Sequence, residues 1–354
     1  MKTAKTSLND PNRVFIIAEA GSNWKAGSYN EDLRRAKRLI KIASDSGADA
    51  IKFQMFRANT VYVPDAGNSD YLAKSGIKKS INEIFQNAEM PYEMLSELSK
   101  YCKERQIELM ATAFSVEDAQ AINKYVKIHK VASYEINHVR LLEYLAKTKK
   151  PIIISTGASN YAEIDFAVNL LKKYKVKNYA LLQCTAKYPA PLESLNLSVI
   201  PQMKHRYKIP VGLSDHSTDP AIGPISAVAL GATIIEKHFT LDKGLSGPDH
   251  KFALNPVELK KMIQSIRDAQ KTLGDGKKHI LNVEKELRDF AVRRIQAIRP
   301  IRKGEKIIEG YNIDILRPGK RTKGAYARFL SKINGRVSNR TIKLGEGVKL
   351  QDCI

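Results

Sequence analysis

Two stretches decide the reading of this chain: VGLSDH at 211–216 and TIIEKHF at 233–239. Each is a short apolar run that turns polar at its carboxyl end, and each carries a histidine there, His216 and His238. Six runs of the same kind precede them: FIIAEAG at 15–21, DAIKFQ at 49–54, ELMATAF at 108–114, IHKVAS at 128–133, PIIIST at 151–156 and YALLQCT at 179–185. Apolar runs buried on both faces are what parallel strands look like. Between them, Leu33, Ala36, Leu39, Ile40 and Ala43 recur at helical spacing, as do Met94, Leu95, Leu98 and Cys102. Strand and helix alternating eight times predict an α/β protein built as a (β/α)8 TIM barrel. A doubly wound open sheet is the rival, because order along the chain does not prove closure.

Beyond the eighth run, the turn-rich segment 244–254 leads into a helical pattern over 256–273 and then into the breaker GDGKK at 274–278. From about Ala291 short strands alternate with turns such as Lys303-Gly304-Glu305 and Arg317-Pro318-Gly319. The predicted organisation is a barrel at 1–275, a linker at 276–290 and a small β-rich domain at 291–354. Charge marks the same border. The chain of 354 residues carries 59 Lys and Arg against 37 Asp and Glu, a net +22. Residues 291–354 hold 16 of the cations and 5 of the anions, a balance of +11.

Composition narrows the function classes. With 43% hydrophobic and 27% charged residues the chain is a folded globular protein rather than a disordered or fibrous one. No apolar run of about 18 residues exists, and residues 1–11 are polar, so the expectation is a cytoplasmic protein with no membrane partner. Three widely spaced cysteines suit a reducing compartment and offer no metal-type Cys-x-x-Cys spacing. The basic surface alone admits nucleic acid as a partner, but no aromatic-basic recognition motif accompanies it. The expectation is therefore no nucleic acid.

In a barrel the polar residues at strand ends converge on one face. His216 and His238 on neighbouring strands can share a divalent metal, with Asp215 and Glu236 beside them as orienting groups or further ligands. Thr112, Ser133, Ser155 and Ser214, with Lys52 and Lys130, form a hydroxyl and ammonium set suited to a phosphate or carboxylate. Lys130 also admits a Schiff-base role in an aldolase-type barrel.

These residues carry a family resemblance. FIIAEAG at 15–21, GADAIKFQ at 47–54, STG at 155–157, GLSDHS at 212–217, EKHFT at 236–240 and GPDH at 247–250 resemble the sialic acid (N-acetylneuraminate) synthase family, in order along nearly the whole chain. The C-terminal segment resembles that family's antifreeze-like (SAF) domain. The resemblance implies metal-dependent condensation of phosphoenolpyruvate with an open-chain amino-sugar aldose, giving a nine-carbon 2-keto-3-deoxy acid and phosphate. It implies His216 and His238 as ligands of a divalent metal, Mn(II) first, with Mg, Co or Fe as alternatives. It implies Lys130, Thr112, Ser133, Ser155 and Ser214 as phosphoenolpyruvate contacts. Lys52, Gln54, Glu135, Tyr188 and Asp249 would line the metal and sugar side, with Glu135, Lys52 and Gln54 as the catalytic residues and Glu135 guiding a water. Arg317 would reach the sugar of a partner subunit in a domain-swapped homodimer.

Departures from the family pattern fall on the sugar side. NWKAG at 23–27 stands where a His and then an Asn or Glu are usual, which makes Lys25 a sugar-side candidate and places the only tryptophan, Trp24, beside it. Ala186 and Ala113 replace an Asn or Ser and a Pro. The expected acceptor is therefore an aldose other than plain N-acetylmannosamine, such as a 2,4-diacetamido-6-deoxy sugar. Another phosphoenolpyruvate-condensing 3-deoxy acid synthase, or a Schiff-base aldolase using Lys130, is the alternative.

Overall fold

Counting by twos along the strands separates the residues that fill the barrel from those that face its helices. The strands are β1 (Phe15–Gly21), β2 (Ala50–Met55), β3 (Glu108–Ala113), β4 (His129–Val131), β5 (Ile152–Ser155), β6 (Tyr179–Cys184), β7 (Val211–Asp215) and β8 (Ile234–His238). They pair in parallel in chain order, and β1 also pairs with β8 in the register Phe15↔Ile234 to Glu19↔His238. The sheet is closed, which removes the open doubly wound alternative. These elements come from a computed structural model that describes residues 8, 10, 13–68 and 79–354. Of the polar stretch 1–11, only Leu8 and Asp10 lie among them.

At the amino ends of the strands Phe15, Ile17, Met110, Ile153, Leu182 and Ile234 form one buried cluster inside the barrel. The alternate residues, among them Ile16, Ile51, Leu109, Ile154, Leu213 and Ile235, join the layer between strands and helices. Each such side chain contributes roughly 1.5–3 kcal/mol when taken fully out of water. Gly212 belongs to the crowded interior. A Cβ there would stand 2.2 Å from the Ile234 carbonyl oxygen and 2.7 Å from Leu182 Cδ2, so β7 can hold its place only with glycine.

The flanking helices start on local chemistry. At Pro256–Leu273, Asn255 Oδ1 accepts from the Glu258 N–H at 2.9 Å while Glu258 Oε2 accepts from the Asn255 N–H at 2.9 Å, and proline opens the first turn. Strand β4 is shorter than the run at 128–133 because Ser133–Glu135 tightens into a 3-10 turn. That turn lifts Ser133 and Glu135 off the strand.

The chain divides into two compact units, Met1–Gly274 and Asp275–Ile354. The second contains a helix at Lys285–Ala291, within the stretch expected to be linker, followed by antiparallel β9 (Arg294–Ala297) and β10 (Ile313–Leu316). Its own core is small and rich in isoleucine, with Ile295, Ile301, Ile307, Ile313, Ile333 and Ile342 buried. Arg340 ties this unit together by donating to Asp352 Oδ1 and Glu346 Oε1, each at 2.8 Å. No helix among the described residues is long and apolar enough to cross a membrane.

Candidate active site

One step above the apolar layer, the inward positions change character. Glu19 of β1, Lys52 of β2, Thr112 of β3, Lys130 of β4, Ser155 of β5, Ser214 of β7 and Glu236 of β8 are all buried. They form one connected set. Lys52 Nζ lies 2.6 Å from Glu19 Oε2 and donates to Thr112 Oγ1 at 3.0 Å. Lys130 Nζ donates to Ser155 Oγ at 2.6 Å and to the Val131 carbonyl at 2.9 Å. Glu236 lies between the two lysines, with Oε2 3.8 Å from Lys52 and Oε1 3.8 Å from Lys130, and it accepts from Ser214 Oγ at 3.0 Å. Two buried ammonium groups, a quarter of the way around the barrel from one another, form a floor for an anion.

Burial acts differently on the two lysines. It works to lower both, yet Glu19 and Glu236 outweigh it at Lys52 and raise that ammonium above its ordinary range. At Lys130 burial wins over Glu236 and the pKa falls. Glu135, in the 3-10 turn after β4, is pushed up to about 7 by burial, with Lys130 pulling the other way. Its Oε2 is sealed from solvent and makes no hydrogen bond. A carboxyl that titrates near neutrality, beside a cation and with an unpaired oxygen, is equipped to hold or release a proton.

The next step up carries the imidazoles. The rings of His216 and His238 lie 5.5 Å apart, and Tyr188 covers them at 4.1 Å and 6.0 Å. His216 donates its Nδ1–H to the Thr185 carbonyl at 2.8 Å, which fixes the tautomer and leaves Nε2 with its lone pair. His238 is pushed down to about 4 by burial, with Asp249 opposing, so it is neutral at pH 7. Its Nδ1 is buried and has no hydrogen-bond partner. Gly21 makes room for this arrangement. It has φ of +52°, and a Cβ there would lie 2.5 Å from Asp249 Oδ2 and 3.2 Å from His238 Nδ1. The same Asp249 oxygen accepts from the N–H and the hydroxyl of Ser22, each at 2.9 Å. A β-bulge between Glu19 and Gly21 turns the strand end toward these groups.

The structure thus brings together Lys52, Gln54, Thr112, Lys130, Ser133, Glu135, Ser155, Tyr188, Ser214, His216, His238 and Asp249. Ser133 Oγ accepts from the Gly157 N–H at 2.9 Å, just after Ser155. One reading changes. Asp215 is not beside the histidines: it faces the helix layer, where its Oδ2 pairs with Lys237 at 2.5 Å. Trp24 is 1% exposed and packs in the core between strands and helices, so it is no surface for a sugar. Lys25 pairs with the buried Asp32 at 2.6 Å, and Asp32 also accepts from the Ala26 and Gly27 N–H groups. Arg317 is exposed at the end of β10 in the second unit.

Residues 39–278 match the NeuB family. The chain belongs to that family. It is 40% identical to the spore coat polysaccharide biosynthesis protein SpsE of Bacillus subtilis over 96% of this chain and 94% of that protein. The crystal structure of SpsE is similar with a TM-score of 0.66 at 36% identity, covering 100% of this chain and 99% of that one. Identity to N,N'-diacetyllegionaminic acid synthase of Campylobacter jejuni is also 40%, over 91% of this chain and 96% of the relative. Pseudaminic acid synthase of the same species is 35% identical over 98% of each. This NeuB-family chain is an enzyme, a transferase of the sialic-acid-type synthases.

Within the NeuB-family site, sequence reasoning placed Glu19 at the end of the first strand without giving it a role, and left Glu236 as a flanking group. Their signal was present in the strand period. Counting by twos from Phe15 reaches Ile17 and then Glu19, and counting from Ile234 reaches Glu236 and then His238. Asp215 is one residue out of that phase, which is why it faces away.

Proposed function

We propose that this chain condenses phosphoenolpyruvate with the open-chain aldehyde of an N-acetylated hexosamine-type aldose, yielding a nine-carbon 2-keto-3-deoxy acid and phosphate. The observation that carries the proposal is the buried ring of Lys52, Lys130, Thr112, Ser155 and Ser214 at a single level of the barrel. Cations and hydroxyls in that setting bind the phosphate and carboxylate of the enol phosphate and favour its departing charge. Ser133 joins them from the turn after β4.

His216 and His238 suit a divalent metal, Mn(II) first among Mn, Mg, Co and Fe. The fit rests on the orphaned Nδ1 of His238 and on the free Nε2 of His216. No group of three or more His, Cys, Asp or Glu side chains is poised for a metal among the described residues, so two imidazoles would be its protein ligands. When bound, a metal supplies Lewis-acid polarisation of the aldehyde oxygen.

In the reaction, C3 of the enol phosphate forms a bond to the aldehyde carbon, whose oxygen takes a proton. Water adds at C2, and the C2 adduct then expels phosphate to leave the ketone. Glu135 holds the proton that this sequence moves, accepting it from the water and returning it to an oxygen of the intermediate. Gln54, Tyr188 and Asp249 line the acceptor side, with Lys25 at the loop after β1. The names of the relatives support an acceptor of the 2,4-diacetamido-6-deoxy class. We further propose that the basic second unit is an antifreeze-like (SAF) domain that presents Arg317 to the partner of a domain-swapped homodimer in the cytoplasm.

The test is phosphate release from phosphoenolpyruvate with Mn(II) and a panel of 2-acetamido and 2,4-diacetamido hexoses, with mass spectrometry of the product. Release dependent on one aldose, with product mass equal to aldose plus pyruvate, supports the proposal; no release with any of them sinks it. The lowered pKa of Lys130 favours one second reading, a Schiff-base aldolase. Borohydride trapping on Lys130 and activity that survives EDTA would establish it.

A further inference from the structure

Glu19 is 1% exposed, and both of its carboxyl oxygens are engaged. Oε2 lies 2.6 Å from Lys52 Nζ, and Oε1 accepts from Gln54 Nε2 at 3.0 Å. A carboxylate only accepts hydrogen bonds; burial raises the Glu19 pKa, and the Lys52 ammonium against Oε2 pulls the other way, toward the carboxylate form. The Gln54 amide can therefore meet Glu19 only through its nitrogen. Its carbonyl oxygen is turned to the opposite edge of the amide, and no protein hydrogen bond reaches that oxygen among the described residues. Gln54 itself is half-buried, two residues beyond Lys52 on the same inward face of β2, so it is the more open of the two groups that Glu19 holds.

A glutamine free to rotate could offer either end to a ligand, because its oxygen and nitrogen are nearly the same size. Such a side chain discriminates poorly between donors and acceptors. We infer that Glu19 is a positioning residue that sets the Gln54 amide so that its carbonyl oxygen, and not its NH2, meets the acceptor aldose. The acceptor must then supply a donor there, a hydroxyl or an amide N–H, and an aldose lacking it leaves a desolvated carbonyl unpaired. The same carboxylate aligns Lys52 with Thr112, so one buried group links the floor of the site to its acceptor side. This inference rests on the condensation reading above.

The test is steady-state kinetics with phosphoenolpyruvate, Mn(II) and the best aldose of the panel, comparing wild type, E19Q, Q54E and E19Q/Q54E. In E19Q the amide is no longer held, and the acceptor KM should rise about tenfold, by more than the phosphoenolpyruvate KM, which also rises because Lys52 loses the same partner. Q54E sets two carboxylates against each other and should lose at least as much. The double variant exchanges the roles: the introduced amide donates to the introduced carboxylate, which again presents an oxygen to the acceptor. Its acceptor KM should return to within about threefold of wild type, whereas two independent structural losses would multiply. A wild-type acceptor KM in E19Q, or a double variant no better than the product of the singles, overturns the inference. Should E19Q fail to fold by circular dichroism, Q54L takes its place and must raise the acceptor KM alone; an unchanged value overturns the inference equally. Wild-type enzyme that releases no phosphate with any aldose overturns the condensation reading itself. Turnover by wild type with a flat response in the variants overturns only the role of Glu19.

Discussion

Asp215 and Lys237 form an ion pair at 2.5 Å on the helix-facing side of the barrel wall, each one residue away from a histidine that faces inward. Lys237 also donates to the carbonyl and hydroxyl oxygens of Ser217, at 2.7 Å and 3.1 Å, and Asp215 Oδ1 accepts from the Ser217 N–H at 2.8 Å. Both side chains are essentially without solvent contact, at 1% and 0% exposure. Removing one partner strands a buried charge. D215A should therefore lose about 3–5 kcal/mol of stability. The K237M/D215A double variant should recover most of that loss in urea unfolding, and equal losses in single and double variants would refute the pairing account.

Glu135 makes the rate and the stability depend on pH in opposite ways. With its carboxyl at about 7, activity that needs the carboxylate should rise through neutrality, and E135Q should lose that limb of the kcat profile. For stability the sign is reversed. The folded pKa lies above the ordinary 4.5, so the native state binds more protons and its stability falls as pH rises from about 4.5 to 7. E135Q should be more stable than wild type at pH 8, by about 3 kcal/mol, and melt higher. Equal melting at pH 5 and a gap at pH 8 is the expected pattern.

The histidine pair can be tested by metal binding without any assay of turnover. Mn(II) at about one hundred times its Kd should stabilise wild type by roughly 2.7 kcal/mol. H216A and H238A should bind no Mn(II) on a gel-filtration column read by elemental analysis and should show no such stabilisation. Retention of stoichiometric metal by both variants would move the site elsewhere.

Gly21 lets Asp249 and His238 approach each other. G21A adds a Cβ within 2.5 Å of Asp249 Oδ2 in a left-handed backbone conformation. The expected result is a stability loss of about 1–2 kcal/mol. It should be accompanied by a much larger fall in kcat/KM, measured by phosphate release. Wild-type turnover in G21A would show that the Asp249 and His238 geometry is not needed.

The dimer proposal predicts complementation in trans. K130A and R317A chains should each be inactive alone, whereas mixed and refolded together they should recover about a quarter of wild-type activity, because half of the dimers are mixed and each of those has one intact site. No recovery, with mixed dimers demonstrated by differential tags, would remove Arg317 from the partner's site.

Much of this protein was legible in its sequence because a barrel strand is a short-range object. Apolar runs such as 151–156 and 211–216 mark strands regardless of what surrounds them, and the period of two places Lys52, Thr112, Lys130, Ser155, Ser214, His216 and His238 on the inner face. The helix at Pro256–Leu273 carries its start signals in its own residues. Local chemistry sufficed for these features. The shortened β4 and the helix at Lys285–Ala291 were less visible, because a 3-10 turn and a charged helix carry little periodic apolar signal.

Only the tertiary structure decided which charges meet. Asp215 and Glu236 look alike in sequence, each one or two residues from a histidine, yet strand phase sends Asp215 outward to Lys237 and Glu236 inward between two lysines. Trp24 stands in a loop that departs from the family pattern, and packing placed it in the core. Closure of the sheet sets β1 beside β8 and thereby Glu19 beside His238, residues more than two hundred positions apart. Burial then set the proton affinities of Glu135 and Lys130, and the neighbouring Glu19 and Glu236 overrode it at Lys52, since the free energy of a charge depends on everything that replaces its water, and no stretch of sequence contains that information.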